Sequence, residues 1–124
     1  MKKLVDKSGK NLEKEVNKNN LWCGRHVKSI DCSTVSMPDT IENQKAYPQV
    51  SSQKEGCGFP LAKIGVLFSY STGAVMGIAI NIFKRHDLNL ARELTPYLDS
   101  GDILLGDRAY ECLLRHIFMD EKRL

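Results

Sequence analysis

In Gly101-Asp102-Ile103-Leu104-Leu105-Gly106-Asp107-Arg108-Ala109-Tyr110, three aliphatic residues stand between turn-formers. That is the pattern of a short strand buried on both faces, as parallel strands are, and an Asp at its C-terminal end is poor strand material. Something other than folding should hold Asp107 there. Val27-Lys28-Ser29-Ile30-Asp31-Cys32-Ser33-Thr34-Val35 poses the same question, with Asp31 inside a β-branched run. Two carboxylates brought toward one sheet repel each other unless a cation sits between them. The pair therefore predicts a divalent-metal site.

The chain between these stretches has a readable order. Residues 1–20 form a lysine- and asparagine-rich lead whose one weak helical pattern is Leu12 and Val16, read as a flexible, solvated tail or frayed helix. Leu21-Trp22-Cys23-Gly24-Arg25-His26 turns into the strand of Asp31, and a polar connection rich in Gly and Pro follows from Met37 to Pro60. A connection of that length inside a compact domain signals either function or a misread element. Ile64 to Ser71 and Ala74 to Ile82, joined by Thr72-Gly73, read as a hairpin with a two-residue turn. In its second strand Met76, Ile78, Ile80 and Ile82 share one face; Val75, Gly77 and Ala79 share the other, where small side chains would admit a helix closely.

Asp87 is the expected N-cap of a helix with Leu88, Ala91, Leu94 and Leu98 as its apolar stripe, ended or kinked at Pro96. A second helix follows Asp107, with Tyr110, Leu113, Leu114, Ile117 and Phe118 on one face. The order β, loop, β-hairpin, α, β, α makes the first of these helices a crossover. It predicts an α/β fold, a mixed sheet flanked by helices.

Charge and composition narrow the function. The lead carries six lysines against Asp6, Glu13 and Glu15, which accounts for the whole formal net charge of +3 and leaves the body neutral. A free-standing nucleic-acid binder would show a basic face. No run of about 18 apolar residues is present, so no membrane span is expected, and Met1-Lys2-Lys3 is not followed by the apolar region of a signal peptide. Cys23, Cys32, Cys57 and Cys112 make no CxxC pair and read as small buried thiols, reduced in a cytoplasmic protein; Cys23 with His26 is only a weak zinc signal. Trp22 reads as core packing rather than as a base-stacking platform. The histidines read as surface or capping residues.

From Leu21 to about Tyr110 the chain resembles the catalytic core of the DDE transposases of bacterial insertion sequences, of the insertion-sequence-four type. The resemblance is carried by Leu21-Trp22-Cys23-Gly24-Arg25, Ile30-Asp31-Cys32-Ser33-Thr34-Val35-Ser36-Met37-Pro38-Asp39-Thr40, Asn43-Gln44-Lys45-Ala46-Tyr47-Pro48-Gln49, Gly56-Cys57-Gly58-Phe59-Pro60 and the stretch that ends in Tyr110. It implies a ribonuclease H-like fold in which the strands of the first two acids lie side by side in parallel. Asp31 would be the first acid and Asp107 the second, both ligands of catalytic Mg²⁺ or Mn²⁺. Water would attack a phosphodiester at the transposon end, and the freed 3′-hydroxyl would attack target DNA.

Double-stranded DNA is the implied partner, in a bacterial, nucleoid-associated protein that could act as a homodimer. Arg108, Lys45, Lys54 and His86 are the candidates for touching it. The family's third acid is a Glu on a later helix, and none of Glu111, Asp120 and Glu121 has its context. Residues 21–124 are therefore expected to be the N-terminal part of a transposase catalytic domain, a partial fold without the last strand and helix, inactive alone. The alternative is a non-catalytic remnant that binds DNA or protein.

Overall fold

The computed structural model describes residues 1–106. Asp107, Arg108 and the second expected helix lie outside them.

Among the described residues a four-stranded mixed sheet is the centre of the fold. Its strands are β1 (Val27–Ser36), β2 (Leu61–Ser69), β3 (Val75–Ile82) and β4 (Ile103–Leu105), in the spatial order β3-β2-β1-β4. β1 pairs antiparallel with β2, and β2 with β3; β4 joins parallel to β1, with Val27 opposite Ile103 and Ser29 opposite Leu105. The hairpin read from the sequence is present with a longer connection than expected, and a register shift at Leu67/Phe68 breaks the expected alternation of β3: Met76 is buried in the core with Ala79 instead of sharing the face of Ile78 and Ile80. Ser69 N–H donates to the Ala74 carbonyl and Gly73 N–H to the Ser69 carbonyl, and Gly73 takes the left-handed backbone (φ 71°) that closes the turn.

Between β3 and β4 runs α3 (Asp87–Leu94), continued by a 3-10 turn over Thr95–Tyr97, so Pro96 does end the α-helix. His86, not Asp87, is the N-cap. Asp87 is the first helical residue, where a carboxylate favours the positive end of the helix dipole, and its Oδ1 lies 2.8 Å from Lys63 Nζ. Leu90, Ala91 and Leu94 are buried against Ile30, Leu67, Met76 and Ala79, with Tyr97 and Leu98 beside them. Burying one such Leu contributes about 1.5–3 kcal/mol.

The small residues of this face do admit the helix. A Cβ on Gly65 would sit 3.3 Å from Leu90 Cβ, and one on Gly77 would sit 2.8 Å from Tyr97 Cδ2.

The lysine-rich lead is not a loose tail. Lys2–Lys14 form α1, which packs against β3. Its inward residues are Val5, Gly9 and Glu13 at four-residue spacing, whereas Leu12 of the expected apolar pattern is exposed. Gly9 is the point of closest approach: a Cβ there would meet Met76 Sδ at 2.7 Å and the Val75 carbonyl at 2.9 Å.

The connection from Met37 to Pro60 is ordered by its own side chains. Thr40 caps the short helix α2 (Ile41–Ala46) by accepting from Asn43 N–H. Gln44 Nε2 donates to Asp39 Oδ1 (2.8 Å) and the Gly58 carbonyl (3.0 Å), while its Oε1 accepts from Gln49 N–H. Gln49 in turn donates to the Gln53 and Lys54 carbonyls and accepts from Gly58 N–H. Two glutamines thus satisfy backbone groups that a sheet or helix would otherwise have satisfied.

Candidate functional site

Asp31 lies within β1 and is exposed. The alternation of the strand puts it on the sheet face away from α3, with Ser29 and Ser33 two positions before and after it on the same side. Its cross-strand partner is Val66, whose own partner is Ile78, so this face is oxygen-rich along β1 and aliphatic along β2 and β3. Asp31 Oδ1 accepts from Cys32 N–H at 2.9 Å. Oδ2 has no hydrogen bond or ion pair among the described residues. A carboxylate fixed through one oxygen, with the other turned to solvent and hydroxyls on both sides, is a fitting start for a hard cation site.

Asp107 and Arg108 lie outside the described residues. Among those described, no group of three or more His, Cys, Asp or Glu side chains is placed to hold a metal. Lys45 is exposed on α2, Lys54 is exposed in the loop after it, and His86 is exposed at the start of α3. These three and Asp31 stand on separate elements, and no hydrogen bond or ion pair joins any of them to another among the described residues. An open cleft of about 380 Å³ lies in the loop, lined by Asp39, Gln44, Gln49, Gln53 and Glu55. Gln44 and Gln49 are engaged in bracing the loop backbone, which makes it a scaffold feature.

Two expectations are corrected at the surface. Trp22 is 64% exposed, not packed in the core. It and Arg25 flank a tight turn whose apex, Cys23 and Gly24, directs it outward. Cys23 and Cys57 are exposed free thiols and Cys32 is half-buried, so the cysteines are not uniformly core residues.

The most heavily charged site in the described structure lies on the α3 face, and the sequence reading missed it. Lys28 is 0% exposed; its Nζ lies 2.5 Å from Asp102 Oδ2, 3.5 Å from Glu13 Oε1 and 3.6 Å from Asp99 Oδ2. Burial alone would lower the lysine's pKa; the hydrogen bond and charge of Asp102, then the charges of Glu13 and Asp99, outweigh it and hold the ammonium above its ordinary value of 10.5. Beside it His26 Nδ1 is 3.0 Å from Ser71 Oγ, which is 2.9 Å from Ser69 Oγ. The cluster ties α1, β1 and the turn before β4 together, at the base of the strand pair that leads to Asp31. One signal for it was present: Lys28 shares a strand face with the buried Ile30.

No protein-family model and no solved structure matches the chain. Over 92 residues, 74% of its length, it is 25% identical to the transposase InsG for insertion sequence element IS4 of Escherichia coli (strain K12). The match spans 21% of that protein's length. The resemblance read from the motifs between Leu21 and Tyr110 is therefore met by similarity to a transposase of that insertion-sequence type.

Proposed function

We propose that this chain is part of a DNA transposase, the segment of a ribonuclease H-like catalytic core that carries its first two acids, Asp31 and Asp107. The observation that carries the reading is the parallel pairing of β1 with β4. The register puts Ser29 opposite Leu105, and Asp31 and Asp107 each follow two positions later in the sequence. A step of two residues preserves the face of a strand. A metal shared by the two acids calls for such a parallel pair, with Asp31 on one strand and Asp107 following the other in sequence.

In this reading Asp31 offers Oδ2 to a divalent ion while the Cys32 N–H steadies Oδ1, and Asp107 is the second ligand. Mg²⁺ or Mn²⁺ in such a site supplies activation of the attacking oxygen and stabilisation of the leaving one. The chain's own contribution is rigidity: strand pairing and the Lys28 cluster fix β1 and β4 against each other, which limits the reorganisation that binding an ion requires. Arg108, Lys45, Lys54 and His86 are proposed to contact the phosphates of double-stranded DNA.

Calorimetric titration with Mn²⁺ tests the site. Binding is expected in the unmutated chain and expected to vanish in Asp31→Asn and in Asp107→Asn. Absence of Mn²⁺ binding in the unmutated chain, or binding indifferent to both substitutions, refutes the assignment. DNA binding that survives both substitutions without metal would instead favour a non-catalytic DNA-binding module.

A further inference from the structure

We infer that the turn Trp22-Cys23-Gly24-Arg25 is a stacking site for an unpaired nucleotide, with the indole of Trp22 taking the base and the guanidinium of Arg25 the adjoining phosphate. Cys23 and Gly24 both have left-handed backbones, φ 50° and 73°, and Trp22 and Arg25 exchange hydrogen bonds of 3.0 and 2.9 Å across them. This is the tight two-residue hairpin turn that needs positive φ at both central positions. Its two flanking residues form a directly opposed pair, so their side chains leave the backbone on one side.

The base of the turn is fixed as well. Asn17 caps the 3-10 turn over Lys18–Asn20 before it, and behind it His26 accepts from Ile103 N–H at 2.8 Å through its carbonyl and meets Ser71 Oγ through its ring. An exposed indole on such a mount loses little freedom when it is covered. Arg25 is exposed and its guanidinium has no hydrogen bond or ion pair among the described residues. From Val16 to Ile30 the chain has no carboxylate, and Lys18 adds a second exposed cation. An aromatic face beside uncompensated positive charge suits a base and its phosphate, and the base must be unpaired because the faces of a duplex base are already stacked.

The inference rests on the proposed transposase reading for its choice of nucleic acid over peptide. It needs neither Asp31 nor metal. The chain contains a single tryptophan, so indole emission reports Trp22 alone. The 124-residue chain is titrated in EDTA with a single-stranded oligonucleotide of about ten nucleotides, within the usual range of such sites, and with the blunt duplex of the same sequence.

The single strand is expected to quench the emission and the duplex to leave it unchanged. Followed by the anisotropy of a labelled strand, since these variants hold no indole, Trp22→Ala should weaken single-strand binding about tenfold, with Trp22→Phe retaining most of it. Arg25→Ala should weaken it and lower the salt slope by about 0.7. Since both side chains are exposed, unchanged circular dichroism checks that the variants fold. No binding, binding without quenching, equal quenching by the blunt duplex, full affinity in Trp22→Ala, or quenching by a proline-rich peptide in place of the oligonucleotide overturns the inference. Failure of Mn²⁺ binding would sink the metal reading and leave this titration untouched, and the reverse holds too.

Discussion

Replacing Lys28 by Met tests whether the buried charge cluster holds the fold together. Met fills much of the volume of the lysine stem, so the cavity term is small and the charge term dominates. Two of the three carboxylates around Nζ, those of Glu13 and Asp102, are only 7% exposed and cannot turn to water, while Asp99 is 61% exposed and can. Removing one partner of a buried ion pair typically costs about 3–5 kcal/mol, because the remaining charge is left uncompensated. For a domain of this size that is a fall in Tm of roughly 12–20 °C.

The assay is thermal and urea denaturation followed by far-ultraviolet circular dichroism at pH 7. The pH dependence adds a second handle. Lys28 has its folded pKa raised, so its contribution is fully present below 10.5 and is lost as pH rises through the higher folded value. The gap between the unmutated chain and Lys28→Met should therefore stay constant from neutral pH up to that region and narrow only beyond it. A Lys28→Met variant as stable as the parent at pH 7, or a gap that closes well below pH 10.5, would refute the reasoning.

Gly77→Ala places a Cβ 2.8 Å from the Tyr97 ring and should destabilise the chain by about 1–3 kcal/mol, with Tyr97→Leu in the same chain restoring part of the loss in urea melts. Gln49→Ala removes the bonds to the Gln53 and Lys54 carbonyls and to Gly58 N–H; trypsin should then cut after Lys54 faster than in the parent, while Tm changes little.

What was legible in the sequence was whatever announced itself by hydrophobic period. The two strands of the hairpin are where the pattern puts them, Ala91 and Leu94 of the expected stripe point at the sheet, Pro96 ends that helix, and Gly77 lies where the chain after the helix comes nearest; Leu90 falls outside the stripe that was read, and the alternation of β3 breaks at a bulge that no local pattern announces. The parallel join of β4 followed from the crossover logic. α1 was illegible because its inward stripe is Val5, Gly9 and Glu13: one residue has no side chain and another is charged, so no hydrophobic period exists to read. Lys28 was hidden by the ordinary expectation that lysine is solvated, although its register with Ile30 placed it inside.

At the site, Asp31 was picked out by its β-branched surroundings, and it is indeed carried by a strand. Trp22 was misjudged because burial of an aromatic depends on what lies opposite it, and a two-residue turn leaves nothing opposite. The glutamine bracing of the long loop depends on contacts between residues distant along the loop, which no local pattern encodes.

The docking of α1 also bears on the order in which the chain acquires its structure. Gly9 needs the backbone of Val75 and the side chain of Met76, and Glu13 needs Lys28 held by Asp102. Both attachments join α1 to segments made much later, and such long closures form only after nearer contacts have reduced their entropic cost. The hairpin of β2 and β3 is closed by neighbouring residues and can form first. On a ribosome α1 would emerge before the sheet, wait without that partner, and lock down after it, so its lysine-rich outer face keeps the waiting helix soluble until the sheet is ready to receive it.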